Sequence, residues 1–222
     1  MVVSYLKNVN PGHFIMMCAG NIFLGLGVAV FKLSGLGNDP FTGMVMGMAE
    51  GIGMTYADFL LIVNGLVFIV QIIYARKLIG LGTVFNAVLL GYIATFFYDI
   101  FINAQLQPEN FIYQLIILAI GIIIYSFGIS CYQSSDMGVS PYDSLPLILS
   151  ARFTKIKYPY YKIGIDTTCA ILCFFVGGIV GIGMLAAMVC LGPVIYFFDT
   201  HFSKKLYKKI AAAYGKQAID VK

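Results

Sequence analysis

The stretch GLGNDPFTG (residues 35–43) follows a hydrophobic segment from His13 to Leu33 and precedes another apolar stretch. It holds three glycines, an asparagine, an aspartate and a proline. A variant, DMGVSPYDS, returns at residues 136–144. Glycine permits a sharp turn, and proline cannot continue an incoming helix. Asp39-Pro40 then reads as a new helix start, because aspartate caps well and proline suits the first helical position. Ser140-Pro141-Tyr142-Asp143 repeats that grammar and adds an acid at the third position, close to a capping box. Each stretch therefore breaks one helix and starts a short second one, over 40–51 and 141–151.

Composition sets the solvent around these breaks. The 222 residues are 60% hydrophobic and 11% charged, with mean hydropathy +0.89. Soluble domains carry about 25% charged residues. A bilayer core needs roughly 20 apolar residues per helix. Six segments qualify: about 13–33, 57–75, 79–100, 111–132, 160–177 and 180–200. Runs such as LIILAIGIII (115–124) do not alternate, which excludes the strand pattern of a membrane β-barrel. The first apolar run is too long for the core of a cleaved signal, and no A-x-A site follows it. The five cysteines lie in the expected spans without a C-x-x-C pair, and only His13 and His201 are histidines. No metal site or cofactor is expected from this set.

Basic residues orient the chain. Lys7 precedes the first span, and Arg76-Lys77 separates the second from the third. Arg152, Lys155 and Lys157 precede the fifth, and Lys204, Lys205, Lys208 and Lys209 follow the sixth. Six crossings with both termini cytoplasmic put every basic cluster on one side, with Lys32 the exception. Counting 40–51 and 141–151 as crossings would make eight and turn Arg76-Lys77 outward. The tail at 203–222 is basic, and its stretch 203–217 suits a positive-inside anchor or an amphipathic contact with anionic lipid. The net charge of +4 fits either and does not point to nucleic acid.

The chain also repeats itself. Shifted by 101 residues, Gly20 meets Gly121, Gly27 meets Gly128, Ser34 meets Ser135, Gly37 meets Gly138 and Pro40 meets Pro141. Farther on, Gly80, Gly82 and Gly91 meet Gly181, Gly183 and Gly192. Each half reads as span, break, half-helix, span, span. Three crossings is an odd number, so the halves enter the membrane from opposite sides, as in many secondary transporters. The expected fold is all-α. Six transmembrane helices form two inverted repeats, 1–104 and 105–202, followed by the tail.

Several polar residues become candidate binding groups in that frame. In lipid, a backbone break is tolerated only where protein or a water-filled cavity covers it. The breaks nominate Gly37, Asp39, Pro40, Thr42, Gly138, Pro141 and Asp143. Polar groups inside spans face the bundle interior or a pathway, which adds Asn21, Asn64, Asn86 and Asp166. Asp166 falls opposite Asn64 in the shifted alignment, and its alternative role is a hydrogen bond to backbone or to a tyrosine. The asparagines alternatively join helices. The glycines at 80, 82, 181 and 183 read first as packing residues. Half-helix N-termini suit anions, but Asp39 and Asp143 sit near those ends and weaken the case for an anionic substrate.

G-x-x-P-[FY] after the first span, followed by a short helix and then Gly80-x-Gly82-Thr83-x-x-Asn86-Ala87, resembles the YczE/YyaS/YitT group of bacterial integral membrane proteins. The likeness covers roughly residues 10–200. The second half departs from it, because Met184 and Ala187 replace Thr83 and Asn86. The resemblance implies a multi-pass protein of the bacterial inner membrane and brings no settled activity. The repeat and the breaks point to a small transporter of an organic solute or ion by alternating access. The alternative is a non-transporting membrane subunit or assembly partner. The chain has no nucleotide loop of the G-x-x-x-x-G-K-[ST] type and no H-E-x-x-H, so an enzyme is not expected. The expected partners are the lipid bilayer and a small-molecule or ion substrate, with a homodimer or partner membrane protein also compatible.

Overall fold

The computed structural model describes residues 10–156 and 158–220, and all regular structure among them is helical. The first half holds α1 (Pro11–Ser34), α2 (Pro40–Gly51), α3 (Tyr56–Tyr74) and α4 (Leu81–Asn103), with a short 3-10 turn at Arg76–Leu78. The second holds α5 (Phe111–Ser134), α6 (Pro141–Arg152), α7 (Tyr158–Phe175) and α8 (Ile182–Phe198). A π-helical turn at Asp199–Ser203 leads into α9, Lys204–Asp220. The expected boundary at 203 falls where that turn gives way to α9. Lys7 and Lys157, used above for orientation, lie outside the described residues.

Both breaks form as their residues dictate. The Thr42 N–H donates to the Asp39 carboxylate at 3.2 Å, and the Asp143 N–H donates to the Ser140 hydroxyl at 3.1 Å. Pro40 and Pro141 occupy the first turns of α2 and α6. The Ser140 hydroxyl also donates to the Asp143 carboxylate at 2.7 Å. The second cap is thus a serine–aspartate pair, without the return bond to backbone that completes a capping box.

Five helical runs among the described residues are long and apolar enough to cross a membrane. They are α1, α3, α4, α5 and the continuous run Ile182–Ala213, with mean hydropathies of 1.6 to 2.3. The expected fifth span, 160–177, forms α7 but is not among the five. Lys162 and Asp166 lie one helical turn apart near its start and lower its apolarity.

At the centre α1 packs along α5. Glycine makes that approach possible. A Cβ added at Gly20 would lie 2.5 Å from the Tyr132 backbone nitrogen, and one at Gly27 would lie 2.6 Å from Tyr125 Cα. Gly128 lies against the Leu24 backbone and Gly121 against Phe31. α4 flanks α1 and α8 flanks α5, while α2 packs on α7 and α3 packs on α6.

Each break also docks on the opposite half of the chain. The Gly82 N–H donates to the Met137 carbonyl at 2.7 Å, and the Gly183 N–H donates to the Leu36 carbonyl at 2.8 Å. Residues 36 and 137, like 82 and 183, are separated by 101. Gly37 and Gly138 turn the chain at these two clasps with φ of +102° and +110°. A Cβ at Gly37 would come within 2.9 Å of the Ile179 carbonyl oxygen, and one at Gly138 within 2.5 Å of the Gly80 nitrogen. The packing role expected for glycines 80, 82, 181 and 183 is their contact with these turns.

The α1–α5 contact predicts a contrast between two glycines. Overpacking a tight contact costs about 1–3 kcal/mol, so Gly27→Ala is expected to lower the melting temperature of the detergent-solubilised protein by several degrees. Gly65, on α3, has nothing within 4 Å of an added Cβ. Gly65→Ala is therefore expected to leave the melting temperature unchanged or slightly raised. Equal shifts in thermal unfolding of the two variants would refute the close-approach account.

Candidate functional site

A cavity of about 430 Å³ opens where the N-termini of α2 and α6 meet. Phe41 and Tyr142, each one residue past its proline, stack with ring centroids 4.1 Å apart and planes 14° from parallel. The 101-residue shift pairs these same two positions. The first break contributes Asp39, Pro40 and Thr42 to the wall, and the second contributes Ser140 and Asp143. Tyr56 and Asn64 project from α3, Asn86 from α4, Tyr125 and Gln133 from α5, and Lys162 and Asp166 from α7.

One ammonium lies beside two of the three carboxylates here. Lys162 Nζ lies 3.1 Å from Asp166 Oδ1 and 3.7 Å from Asp143 Oδ1. It also sits 4.3 Å from the centre of the Tyr142 ring. The Tyr142 hydroxyl donates to Asp166 Oδ1. The tyrosine partner expected as the alternative for Asp166 is therefore present, together with a cation. The Lys162, Asp143 and Asp166 side chains are 31%, 21% and 18% exposed.

Asp39 lies deeper. It is 6% exposed, and its second carboxylate oxygen has no hydrogen-bond partner among the described residues. The Tyr56 hydroxyl, on a residue 8% exposed, is likewise without one. Buried polar groups are ordinarily hydrogen-bonded, because each one left unsatisfied costs about 1–3 kcal/mol. Two such groups on one cavity wall mark a place where a polar ligand or water would complete the bonding.

The remaining candidates divide between wall and scaffold. The Asn86 side chain donates to Asn21 Oδ1 at 3.1 Å, and Asn21 donates to the Met17 carbonyl at 3.0 Å. The Asn64 side chain donates to the Ala87 carbonyl at 3.1 Å. All three asparagines take part in helix-joining bonds, and Asn64 and Asn86 also line the cavity. Asn21 stands behind Asn86, outside the lining. Gly37 and Gly138 belong to the clasps, and Pro141 is buried in the first turn of α6, also outside the lining.

Sequence reasoning passed over Lys162. Its signal was the spacing Lys162-x-x-x-Asp166, which places opposite charges one turn apart on an otherwise apolar helix. Tyr125, Tyr142 and Gln133 were missed for a different reason. Aromatic and polar residues are scattered along α5 and α6, and nothing in their spacing marks a cavity face.

Residues 12–200 match the family described as "family of unknown function (DUF6198)". The chain belongs to this family. It is 28% identical over 197 residues to the uncharacterized protein YyaS of Bacillus subtilis, covering 84% of this chain and 94% of that one. It is 24% identical over 180 residues to the uncharacterized membrane protein YczE of the same organism, covering 81% of each chain. An uncharacterized protein of Haemophilus influenzae is 28% identical over 177 residues, covering 79% of this chain and 78% of its own. No solved structure matches the chain significantly. The YczE/YyaS resemblance read from the glycine and proline motifs is thus the family relationship. With its five long apolar helices, this DUF6198 protein is an integral membrane protein.

Tyr142 joins the two breaks through its ring and α7 through its hydroxyl, and two variants separate these roles. Tyr142→Phe keeps the stack and is expected to cost about 1.5–3 kcal/mol, the scale of one hydrogen bond to a charged group. Tyr142→Ala also removes the ring and is expected to cost about 3–5 kcal/mol. Thermal unfolding of the two purified variants measures the difference, and equal losses would leave the ring stack with no stabilising part.

Proposed function

We propose that this protein is a small secondary transporter of an organic solute or ion, working by alternating access, and not an enzyme. In this reading it is built as two inverted three-helix repeats, with α7 as the sixth crossing and α2 and α6 as half-helices that do not cross. The observation that carries the proposal is the meeting of equivalent residues Phe41 and Tyr142 at a polar cavity. Paired discontinuous helices with their ends at a central site are a recurrent device of secondary transporters. The matched contacts support the same reading. α2 packs on α7 as α3 packs on α6, and each break is clasped by the opposite half. Rocking one half against the other would expose the cavity to alternate sides.

In the bacterial inner membrane, positive-inside placement sets both termini in the cytoplasm. Reporter fusions test this directly. A fusion after Lys222 is expected to report the cytoplasm, and one inserted at 105–108 the outside. The opposite pair of signals would reverse the assignment.

Transport is tested by screening purified protein against a small-molecule library by thermal shift, then measuring flux of each hit in proteoliposomes. A ligand that binds only the folded state, at 100 times its Kd, stabilises it by about 2.7 kcal/mol. Asp39→Asn and Asp143→Asn are each expected to cut flux at least tenfold while the ligand-free melting temperature stays near that of the wild type. Wild-type flux in both variants would remove the carboxylates from the mechanism. An intact fold with no ligand and no flux, together with a stoichiometric co-purifying membrane protein, would favour the subunit reading.

A further inference from the structure

We infer that the cavity takes a protonated organic amine, and that the Lys162 ammonium competes with this ligand for the same carboxylates. The assignment rests on the transport reading above and names the substrate class for it. Three carboxylates, Asp39, Asp143 and Asp166, share the wall with one lysine, so the cavity carries an excess of negative charge. That excess excludes an organic anion and disfavours a neutral solute.

Aromatic rings surround this charge. Phe41, Tyr56, Tyr125 and Tyr142 all line the cavity, and ring faces attract ammonium groups. Lys162 already displays the recognition mode. Its Nζ lies beside two carboxylates and over the Tyr142 ring at 4.3 Å. A substrate ammonium would find the same partners once Lys162 swung aside. The four-carbon stem of lysine is flexible enough for that, and the side chain is 31% exposed.

The deep end of the cavity distinguishes an amine from a simple metal cation. Asp39 Oδ2 and the Tyr56 hydroxyl have no hydrogen bond of ordinary geometry among the described residues, and an N–H donor would satisfy the carboxylate. Leu24, Leu90 and Ile163 supply apolar wall for a carbon skeleton. A volume of about 430 Å³ lies within the range that holds small organic ligands, roughly 300–1,000 Å³. An acidic cluster alone would not single out an amine. The buried acceptor, the aromatic wall and the internal ammonium together do.

The test uses three probes of one size and different charge: 2-phenylethylammonium, 2-phenylethanol and phenylacetate. Their binding to the purified full-length protein is measured by calorimetry at neutral pH, with ligand-free melting temperature as the folding control. The ammonium is expected to bind at least tenfold more tightly than the alcohol, and phenylacetate not at all. Lys162→Met is expected to tighten ammonium binding at least fivefold by removing the competitor. Asp39→Asn is expected to weaken it at least tenfold. If Lys162→Met does not fold, Lys162→Gln makes the same comparison, and the wild-type ranking of the three probes stands by itself. Equal binding of ammonium and alcohol would overturn the substrate class, and weaker ammonium binding in the Lys162 variant would overturn the competition. Amine binding without amine flux in proteoliposomes would refute transport and leave the amine site standing. Flux of a neutral or anionic solute without amine binding would do the reverse.

Discussion

Everything in this protein depends on how closely α1 and α5 approach. Backbone rests on backbone at Gly20, Gly27 and Gly128, where no side chain separates the two helices. Lipid chains are as apolar as leucine, so helix association in a membrane relies on close packing more than on water exclusion. Glycine offers the smallest possible surface for such packing. Once these two helices are seated, each break emerges beside the opposite half of the chain, and the glycines at 82 and 183 capture it with backbone hydrogen bonds. A bulky residue on the α1–α5 contact would therefore displace both clasps and, with them, the walls of the cavity.

The cavity follows from what the clasps hold. Two half-helices brought together by their N-termini oppose two positive dipole ends, which is unfavourable unless negative charge lies between them. Asp39 and Asp143 provide it at the two starts. The Asp39 carboxylate caps α2 directly, and the Asp143 carboxylate accepts from the Ser140 hydroxyl that caps α6, so both are structural as well as chemical. Burying charge costs several kcal/mol per ion unless it is paired. Lys162 offsets part of that cost by reaching both Asp143 and Asp166 from α7. A helix carrying this pair is less apolar than one without it.

The helical class, the two breaks and their caps were legible because they follow from short-range chemistry. Asp39-Pro40 and Ser140-Pro141 each state a helix start within two residues. Several glycines matched at the 101-residue spacing, among them Gly20, Gly27 and Gly128, lie where an added Cβ would meet backbone. The site itself was legible only in part. Asp39, Asp143 and Asp166 stood out as charges in an apolar chain, whereas Lys162 was passed over. Its meaning depends on Asp143, which lies in α6, and no local pattern records that contact. Gly37 and Gly138 drew attention for the right property, their freedom at positive φ, but that freedom serves the clasps and not the cavity wall.

The two clasps are not equally strong, and part of the difference traces to one position where the two halves differ. The turn at 137–139 is held by the Gly82–Met137 bond, by the Val139 N–H donating to the Leu78 carbonyl at 2.9 Å, and by the Val139 carbonyl accepting from Thr83 at 2.8 Å and from Gln71 at 3.2 Å. At the position 101 residues on, Met184 stands in place of Thr83. It has no hydroxyl, and a Cβ added at Gly43 would meet its methyl group at 2.7 Å. It fills space where Thr83 forms bonds. The turn at 35–37 keeps the Gly183–Leu36 bond as its backbone tie to α8. Each net hydrogen bond contributes about 0.5–1.5 kcal/mol, so releasing the second break from α3, α4 and the turn between them costs more than releasing the first from α8. Under the proposed rocking of the two halves, the first break would be the cheaper one to move. It carries Asp39, the most deeply buried carboxylate of the cavity, so the cheaper movement is also the one that changes the surroundings of the charge least tolerant of burial.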